Sequence, residues 1–505
     1  MGNFIGIDLG TTFSVVAHVE TSGRPVIIPD NSQNGEHRIT PSVVAFVEGG
    51  SDLVGFEAKT TLGIDKNTFG HFKRDMGKEK THVVNGERQT ATTLSAKVLE
   101  KLRKIAEDKL GSVDGAVVTV PANFAEEARQ ATMAAAKMAG LNIKHIINEP
   151  TAAALYYAYE SGEDLAGKYA VYDLGGGTFD VTIIEVANRD VEVLATDGVA
   201  RLGGDDFDEA IRKLVATKYK SETGGDLDPD DYTKTRAEDD KITLSSREKC
   251  TIRVRGDKGK AQFDLTRIEF EEAISAKVEE ARIVCETAME EAGVEANDLK
   301  GVFLAGGSTR TPLVAQSVKR VFRQDPLGKG NVDEIVALGA ALYAIHKAPP
   351  EELEVMQQAT ASAMSVAEIA THCFGTISVG RHAETGEGTL FNSILIPKGK
   401  KIPCSVTEDF VTTHDGQESV NCRITQSKGK ETDPRWVSTI WTGELAVPGG
   451  RPAGQTIQVT FKYDESGMMH CSFLDVASGK KTDVSLAVTS ATKTPSEGID
   501  KFTVE

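Results

Sequence analysis

Two glycine turns hold the residues best suited to chemistry. Residues 4–19 read FIGIDLGTTFSVVAHV and residues 171–186 read VYDLGGGTFDVTIIEV. Each has an Asp at the end of an apolar run (Asp8, Asp173), then glycine and hydroxyl residues, then a second apolar run. A phosphate chain needs backbone N–H groups at close range, and glycine lets the backbone approach because no Cβ intervenes. Gly10, Thr11 and Thr12 offer one such turn; Gly175, Gly176, Gly177 and Thr178 offer another. An Asp beside each turn points to Mg²⁺, which keeps several waters and takes few protein carboxylates directly. Asp8 and Asp173 are therefore expected to hold a hydrated ion mainly through water. One such turn would read as a plain hairpin. Two matched turns with Asp at the same offset read as a pair serving one polyphosphate.

A third segment, LAGGSTRTPLV at 304–314, places Gly306, Gly307 and Ser308 after a strand, with Ser308 expected at a helix N-cap. The chain has no G-x-x-x-x-G-K-[ST], so this is not a Walker-type site, and no G-x-G-x-x-G follows the first strand.

The elements that must position these turns follow from the pattern. Short β-branched runs (FIGIDLG, SVVAHV, SVVAFV, AVVTV) alternate with helical stretches such as AEEARQATMAAAKMAGL, which stops at Gly140. HIINEPTAAALYYAYE reads as a loop with Pro150, then a helix from about Thr151. KYAVYDL, FDVTIIEV and VEVLATD form a meander. Helices are expected near 205–221, 232–242 and 267–293, followed by further strand and helix to about 348. Such mixed α/β order implies sheets covered by helices. Residues 349–368 read as a linker with some helical tendency. From 369 to 492 short strands and turns predominate, as in the period-2 run IQVTFKYD, and predict a separate all-β domain. Residues 493–505 read as a weakly structured tail.

Composition bounds the rest. A chain of 505 residues exceeds one core and implies two or more domains. The net charge of −18 argues against nucleic acid or an anionic membrane as partner. The six cysteines (Cys250, Cys285, Cys373, Cys404, Cys422, Cys471) form no C-x-x-C pair and read as reduced thiols in a cytoplasmic protein. No signal peptide, acceptable myristoylation site or membrane-length apolar run is seen.

The segments GIDLGTTFSVV, AVVTVPANFAEEARQAT, IINEPTAAAL, DLGGGTFDV, RLGGDDFD and FLAGGSTRTPLV, in this order over residues 3–346, resemble the nucleotide-binding domain of the 70-kDa heat-shock (DnaK-like) chaperones. The β segment resembles the family's peptide-binding sandwich more loosely. The resemblance implies an actin-like, two-lobed ATPase domain built on a duplicated RNase-H-like fold, followed by an all-β sandwich. It implies ATP hydrolysed to ADP with Mg²⁺, in a chaperone binding extended, unfolded polypeptide, with J-domain and nucleotide-exchange partners. Gly10, Thr11, Thr12, Gly176, Gly177 and Thr178 match the phosphate loops. Lys73, beside Arg74 in HFKRDMG, matches the lysine acting on the γ-phosphate and the attacking water. Glu149 matches the acid facing metal and water, and Asp173 and Thr178 complete the catalytic set. Glu238, Lys241, Ser245, Gly307, Ser308, Arg310 and Asp333 match adenosine contacts. Phe13, Gly175, Gly204 and Gly306 join the nucleotide set from the same motifs. Pro121 and Arg129 match positions relaying nucleotide state. Val379, Phe410, Thr413, Val420 and Cys422 match the peptide groove, although apolar residues there would equally serve a sandwich core.

The sequence also departs from the family. Ile242 stands where Arg commonly stacks on adenine, and Asp205 replaces a Glu. The Leu-rich linker is here MSVAEI, with Ser365 and Ala367, which leaves less apolar area to dock and is expected to weaken coupling. The family's helical lid is expected to be absent unless the chain is truncated, and a lidless groove is expected to exchange peptide fast. Two other functions share the superfold: an ATP-binding actin-like scaffold, and a sugar or acyl kinase.

Overall fold

The computed structural model describes residues 1–31, 35–162, 165–187, 189–327, 330–381, 388–464 and 468–486. The tail expected at 493–505 lies outside the described residues. Chain contacts divide the protein into a larger unit, residues 1–372 with 397–402, and a smaller one, residues 373–396 with 403–505.

The larger unit writes one sheet plan twice. In the first sheet, strand Phe4–Asp8 pairs antiparallel with Phe13–Val19 and parallel with Gly115–Val120, which pairs in turn with Ile143–Asn148. In the second, Gly167–Leu174 pairs antiparallel with Phe179–Ala187 and parallel with Leu299–Ala305. Each sheet thus begins with a hairpin and accepts a parallel strand beside the first strand of that hairpin. A parallel neighbour needs a crossover connection, and helices supply it: Ala91–Leu110 before Gly115–Val120, and Arg267–Glu291 before Leu299–Ala305. Among the described residues, the far side of Leu299–Ala305 carries one parallel bridge, Phe303 to Leu327.

Two helices, Glu149–Ser161 and Ile335–His346, lie in a core shared with strands of both sheets. Both are rich in alanine, which lets their backbones come close. At Gly339 a Cβ would sit 1.7 Å from the Ala152 carbonyl oxygen, so only glycine fits that crossing. A second core covers the other face of the second sheet, against helices Gly204–Thr223 and Arg267–Glu291.

The segment read as a linker carries a short helix, Val355–Ser362, and a strand, Ser365–Ile369. That strand adds in parallel to Asp190–Val199, with Ser365 opposite Asp190 and Ala367 opposite Glu192. Polar contacts accompany it: Ser365 Oγ donates to Asp190 Oδ1 at 2.6 Å, and Lys401 lies 2.6 Å from Glu192.

The smaller unit is two four-stranded antiparallel sheets. One holds Gly388–Ile396, Cys373–Arg381, Ser419–Ser427 and Ser438–Ala446; the other holds Cys404–Val411, Thr456–Tyr463, Met469–Asp475 and Lys481–Ser485. Trp441 stacks on Phe473 and Phe374 meets Tyr463 edge-on, so side chains of the two sheets face each other in a sandwich.

Candidate functional site

The two glycine turns face each other. A Cβ on Gly176 would lie 2.1 Å from Thr12 Oγ1, and one on Gly177 would lie 2.3 Å from Thr11 Oγ1. Glycine is therefore required in the second loop by the threonines of the first.

The second loop is held by its carbonyls. Gly175 O accepts from Ser308 Oγ at 2.8 Å and from the Gly204 amide at 3.0 Å. Gly176 O accepts from the Asp205 amide at 2.8 Å, and Gly177 O from Arg74 Nε at 3.0 Å. In a trans peptide the C=O and the following N–H point in opposite directions. Three carbonyls anchored to protein thus turn the amides of Gly176, Gly177 and Thr178 the other way. In the first loop Ser42 Oγ donates to Gly10 O at 2.8 Å, which orients the Thr11 amide by the same rule.

Between the loops lies a cavity of about 550 Å³. Its lining includes Asp8, Gly10, Thr11, Thr12, Phe13, Lys73, Glu149, Asp173, Gly175, Gly176, Gly177 and Thr178 at one part. Glu238, Lys241, Ser245, Gly306, Gly307, Ser308, Arg310 and Asp333 line the rest. Gly204 does not line it; it sits behind the second loop, with its carbonyl accepting from Lys241 Nζ at 3.1 Å. The cavity also takes in Ile39, Ile242, Ser246, Thr311, Val332 and Val336, of which only Ile242 stood out in the sequence.

Helix Lys234–Ser246 presents Glu238, Lys241, Ile242 and Ser245 at helical spacing, hence on one face. Lys241 is fixed by Asp208 at 2.7 Å and Glu238 by Lys59 at 3.1 Å. Arg310 donates to Asp333 at 2.6 Å and to Asn331 at 2.8 Å. Ile242 is 59% exposed, a large apolar side chain open at the cavity. Ser308 is not a helix N-cap. The chain makes a 3-10 turn at Gly307–Arg310, and the helix starts at Pro312 because proline is suited to a first helical position. The Ser308 hydroxyl instead braces the second loop. Likewise the helix expected from Thr151 begins at Glu149, and HIIN before it is strand.

Lys73 rises from a 3-10 turn, Phe72–Asp75, and pairs with Glu149, the first residue of its helix. They are 4% and 8% exposed. Acids crowd this lysine. Burial, and then Glu149, pushes Asp8 up to about 7. The same two causes push Asp180 up to about 8 and Asp173 well above the usual carboxylate range. Asp180 faces Asp173 across the hairpin and accepts from the Asn123 amide at 3.1 Å. The sequence reading gave it no role; its only signal was an acid at an inward position of an apolar strand.

Pro121 and Arg129 are the positions expected to relay nucleotide state. Pro121 is buried, and Arg129 donates to Asn148 Oδ1 at 2.6 Å. Asn148 Nδ2 donates in turn to Glu368 Oε2 at 2.8 Å, on strand Ser365–Ile369.

The predicted groove residues are spread over the smaller unit. Val379, 57% exposed, lies on one sheet with Val420 and Cys422; Phe410 lies on the other, and Thr413 follows it in a loop. Cys422 is 1% exposed and belongs to the core, because strand alternation turns it inward with Ile424. The thiols of Cys250, Cys285, Cys373, Cys422 and Cys471 are buried and that of Cys404 half-buried. Among the described residues no helix is long and apolar enough to cross a membrane.

A family profile described as Hsp70 protein matches residues 4–505. The chain belongs to the Hsp70 family. A protein of Thermotoga neapolitana named Chaperone protein DnaK is 37% identical over 517 aligned positions, covering 99% of this chain and 82% of that protein. The paired sheets of the larger unit are accordingly the actin-like Hsp70 ATPase fold, and the smaller unit is the Hsp70 β sandwich.

Proposed function

We propose that this Hsp70 chain is an ATP-dependent chaperone whose ATP hydrolysis, at the cavity between the two glycine loops, controls binding of extended, unfolded polypeptide by the β sandwich. The observation that carries the reading is the meeting of Gly176 and Gly177 with Thr12 and Thr11 beside the buried Lys73–Glu149 pair.

In this reading the amides of both loops bind the phosphates, and helix residues Glu238, Lys241 and Ser245, with Arg310 and Asp333, hold the nucleoside. Lys73, a compact cation, stabilises charge developing on the transferred phosphoryl group. Glu149 orients the attacking water, with Thr178 beside it. Mg²⁺ suits the donor set. Asp8, Glu149, Asp173 and Asp180 gather round one lysine, and burial raises three of them toward the protonated state. Among the described residues no three acidic, His or Cys side chains converge to ligate an ion alone. That pattern fits an ion that keeps water and phosphate in its shell, with Asp8 and Asp173 acting through water. When bound, the ion neutralises charge between the β- and γ-phosphates. J-domain and exchange-factor partners, and a reducing cytoplasm for the buried thiols, belong to the same proposal.

The test is fluorescent-peptide binding with ATP, with ADP and without nucleotide, beside the ATPase rate of Lys73→Ala. Weaker, faster peptide binding in ATP supports the reading. Equal affinity in ATP and ADP overturns the coupled function, and wild-type hydrolysis by Lys73→Ala overturns the role of that lysine.

A further inference from the structure

The turn that carries Lys73 is tied to the opposite lobe by the residue just before it. His71 precedes Phe72–Asp75 and has φ of 57°, the left-handed region that most residues with a Cβ avoid. His71 Nδ1 lies 2.7 Å from Asp205 Oδ1. Asp205 is buried in the first turn of helix Gly204–Thr223, on the second lobe, and its own amide anchors Gly176 O.

Two cations face the Asp205 carboxylate, and the neighbouring acid Asp208 is paired with Lys241. Lys234 lies 3.2 Å and Arg74 3.5 Å from Asp205 Oδ2, while Asp206 is taken up by Arg74. Burial alone would raise the Asp205 carboxyl, but His71, Lys234 and Arg74 hold it down at about 2. His71 and Lys73 therefore leave the same short turn for different anchors. The imidazole goes to the helix behind the second phosphate loop, and the ammonium goes to Glu149 in the cleft.

We propose that His71 is a positioning residue of the ATPase site, whose contact with Asp205 fixes the Lys73 turn in register with the second phosphate loop. The proposal rests on the reading of Lys73 as the residue acting on the transferred phosphoryl group. Asp205 joins the loop carbonyl and the imidazole in one residue, and it works beside a second tie from the same turn, Arg74 to Gly177 O. The same side chains would not be needed to bind the nucleoside, which the proposed function assigns to helix Lys234–Ser246 and Arg310.

Single-turnover ATP hydrolysis and equilibrium ADP binding test it on the full chain. His71→Ala is expected to slow hydrolysis by about ten- to a hundred-fold, the cost of a small misplacement, while ADP affinity stays within about threefold. His71→Asn tolerates the left-handed backbone and can donate an amide hydrogen to Asp205, so it is expected to recover most of the rate. His71→Gly relaxes the backbone but lacks the imidazole, and is expected to be as slow as His71→Ala, which keeps the test intact should His71→Ala fail to fold. In the pair His71→Ala with Asp205→Asn the two losses should be less than multiplicative, because both break the His71 contact, while Asp205→Asn also removes the charge facing Lys234 and Arg74. Wild-type hydrolysis by His71→Gly, equal losses in rate and ADP affinity, or fully multiplicative losses in the pair would overturn the proposal. Lys73→Ala run alongside separates the failures. If it is slow while His71→Gly is normal, only the role of His71 falls; if it is normal, the reading of the site falls first.

Discussion

Asn148 donates a 2.8 Å hydrogen bond from Nδ2 to Glu368 Oε2, while the next residue, Glu149, pairs with Lys73 in the cleft. Arg129 occupies Asn148 Oδ1, so the amide can only present its N–H₂ to the carboxylate. One dipeptide thus touches both the cavity and strand Ser365–Ile369. The sequence reading expected weak docking from Ser365 and Ala367; the structure shows polar bonds at Ser365 and Glu368 where apolar area is missing.

Removing that amide tests the docking. Asn148→Ala leaves a buried carboxylate short of a donor, at a cost of about 1–3 kcal/mol. Hydrogen exchange at Val366 and Ala367 should accelerate by roughly tenfold or more, with the strands of the first sheet unaffected. Unchanged exchange at these two amides would show that the bond does not hold the strand.

The acid cluster predicts an unusual pH dependence. Asp8 and Asp180 are raised to about 7 and about 8, so the folded protein without nucleotide binds more protons than the unfolded chain between the ordinary carboxylate range and those values. Their stabilising contribution is complete at acid pH and is lost as pH rises through about 7 to 8. Thermal unfolding without nucleotide should shift to lower temperature across that window. Mg-nucleotide should flatten the trend and release protons on binding, detectable by calorimetry in buffers of different ionisation enthalpy. A flat profile without nucleotide would contradict this account.

The loop contact makes a steric prediction. Gly177→Ala brings a methyl against Thr11, at 2.3 Å from its Oγ1 in the unshifted structure. The loops must separate, so ATP affinity should fall by about tenfold or more while the sheets stay folded, a loss worth about 1.4 kcal/mol. Wild-type affinity would mean that the loops need not meet to hold the phosphates.

Ile242 offers a gain. It is open at the cavity, near the groups proposed to hold the nucleoside. Ile242→Arg should tighten adenine-nucleotide binding by about 0.5–1 kcal/mol through stacking of a cation on the base, and slow ADP release accordingly. Stopped-flow release of a fluorescent nucleotide would measure it; no change would place the base away from this residue.

Much of this was legible because it rests on backbone chemistry. Glycine next to Asp and Thr forecasts close approach and charge, and both hairpins formed as read. Ser308 was misplaced because a Gly-Gly-Ser turn resembles an N-cap, whereas Pro312 sets the helix start. Asp180 was missed because its meaning depends on Asp173 facing it across a hairpin register. Asn148 looked like an ordinary residue before a helix; its importance comes from Arg129 and Glu368, 19 and 220 positions away. The His71–Asp205 contact likewise spans a separation that no local pattern encodes.

Strand Ser365–Ile369 has one more consequence. It covers the outer side of Asp190–Glu192, the start of the last strand of its sheet's hairpin meander. Any state in which it peels away leaves a row of unpaired backbone donors and acceptors facing outward, a template for any extended chain nearby. The protein therefore carries its own edge protector in the segment that joins its two units. A fragment ending before Ser365 should be more prone to self-association than the whole chain.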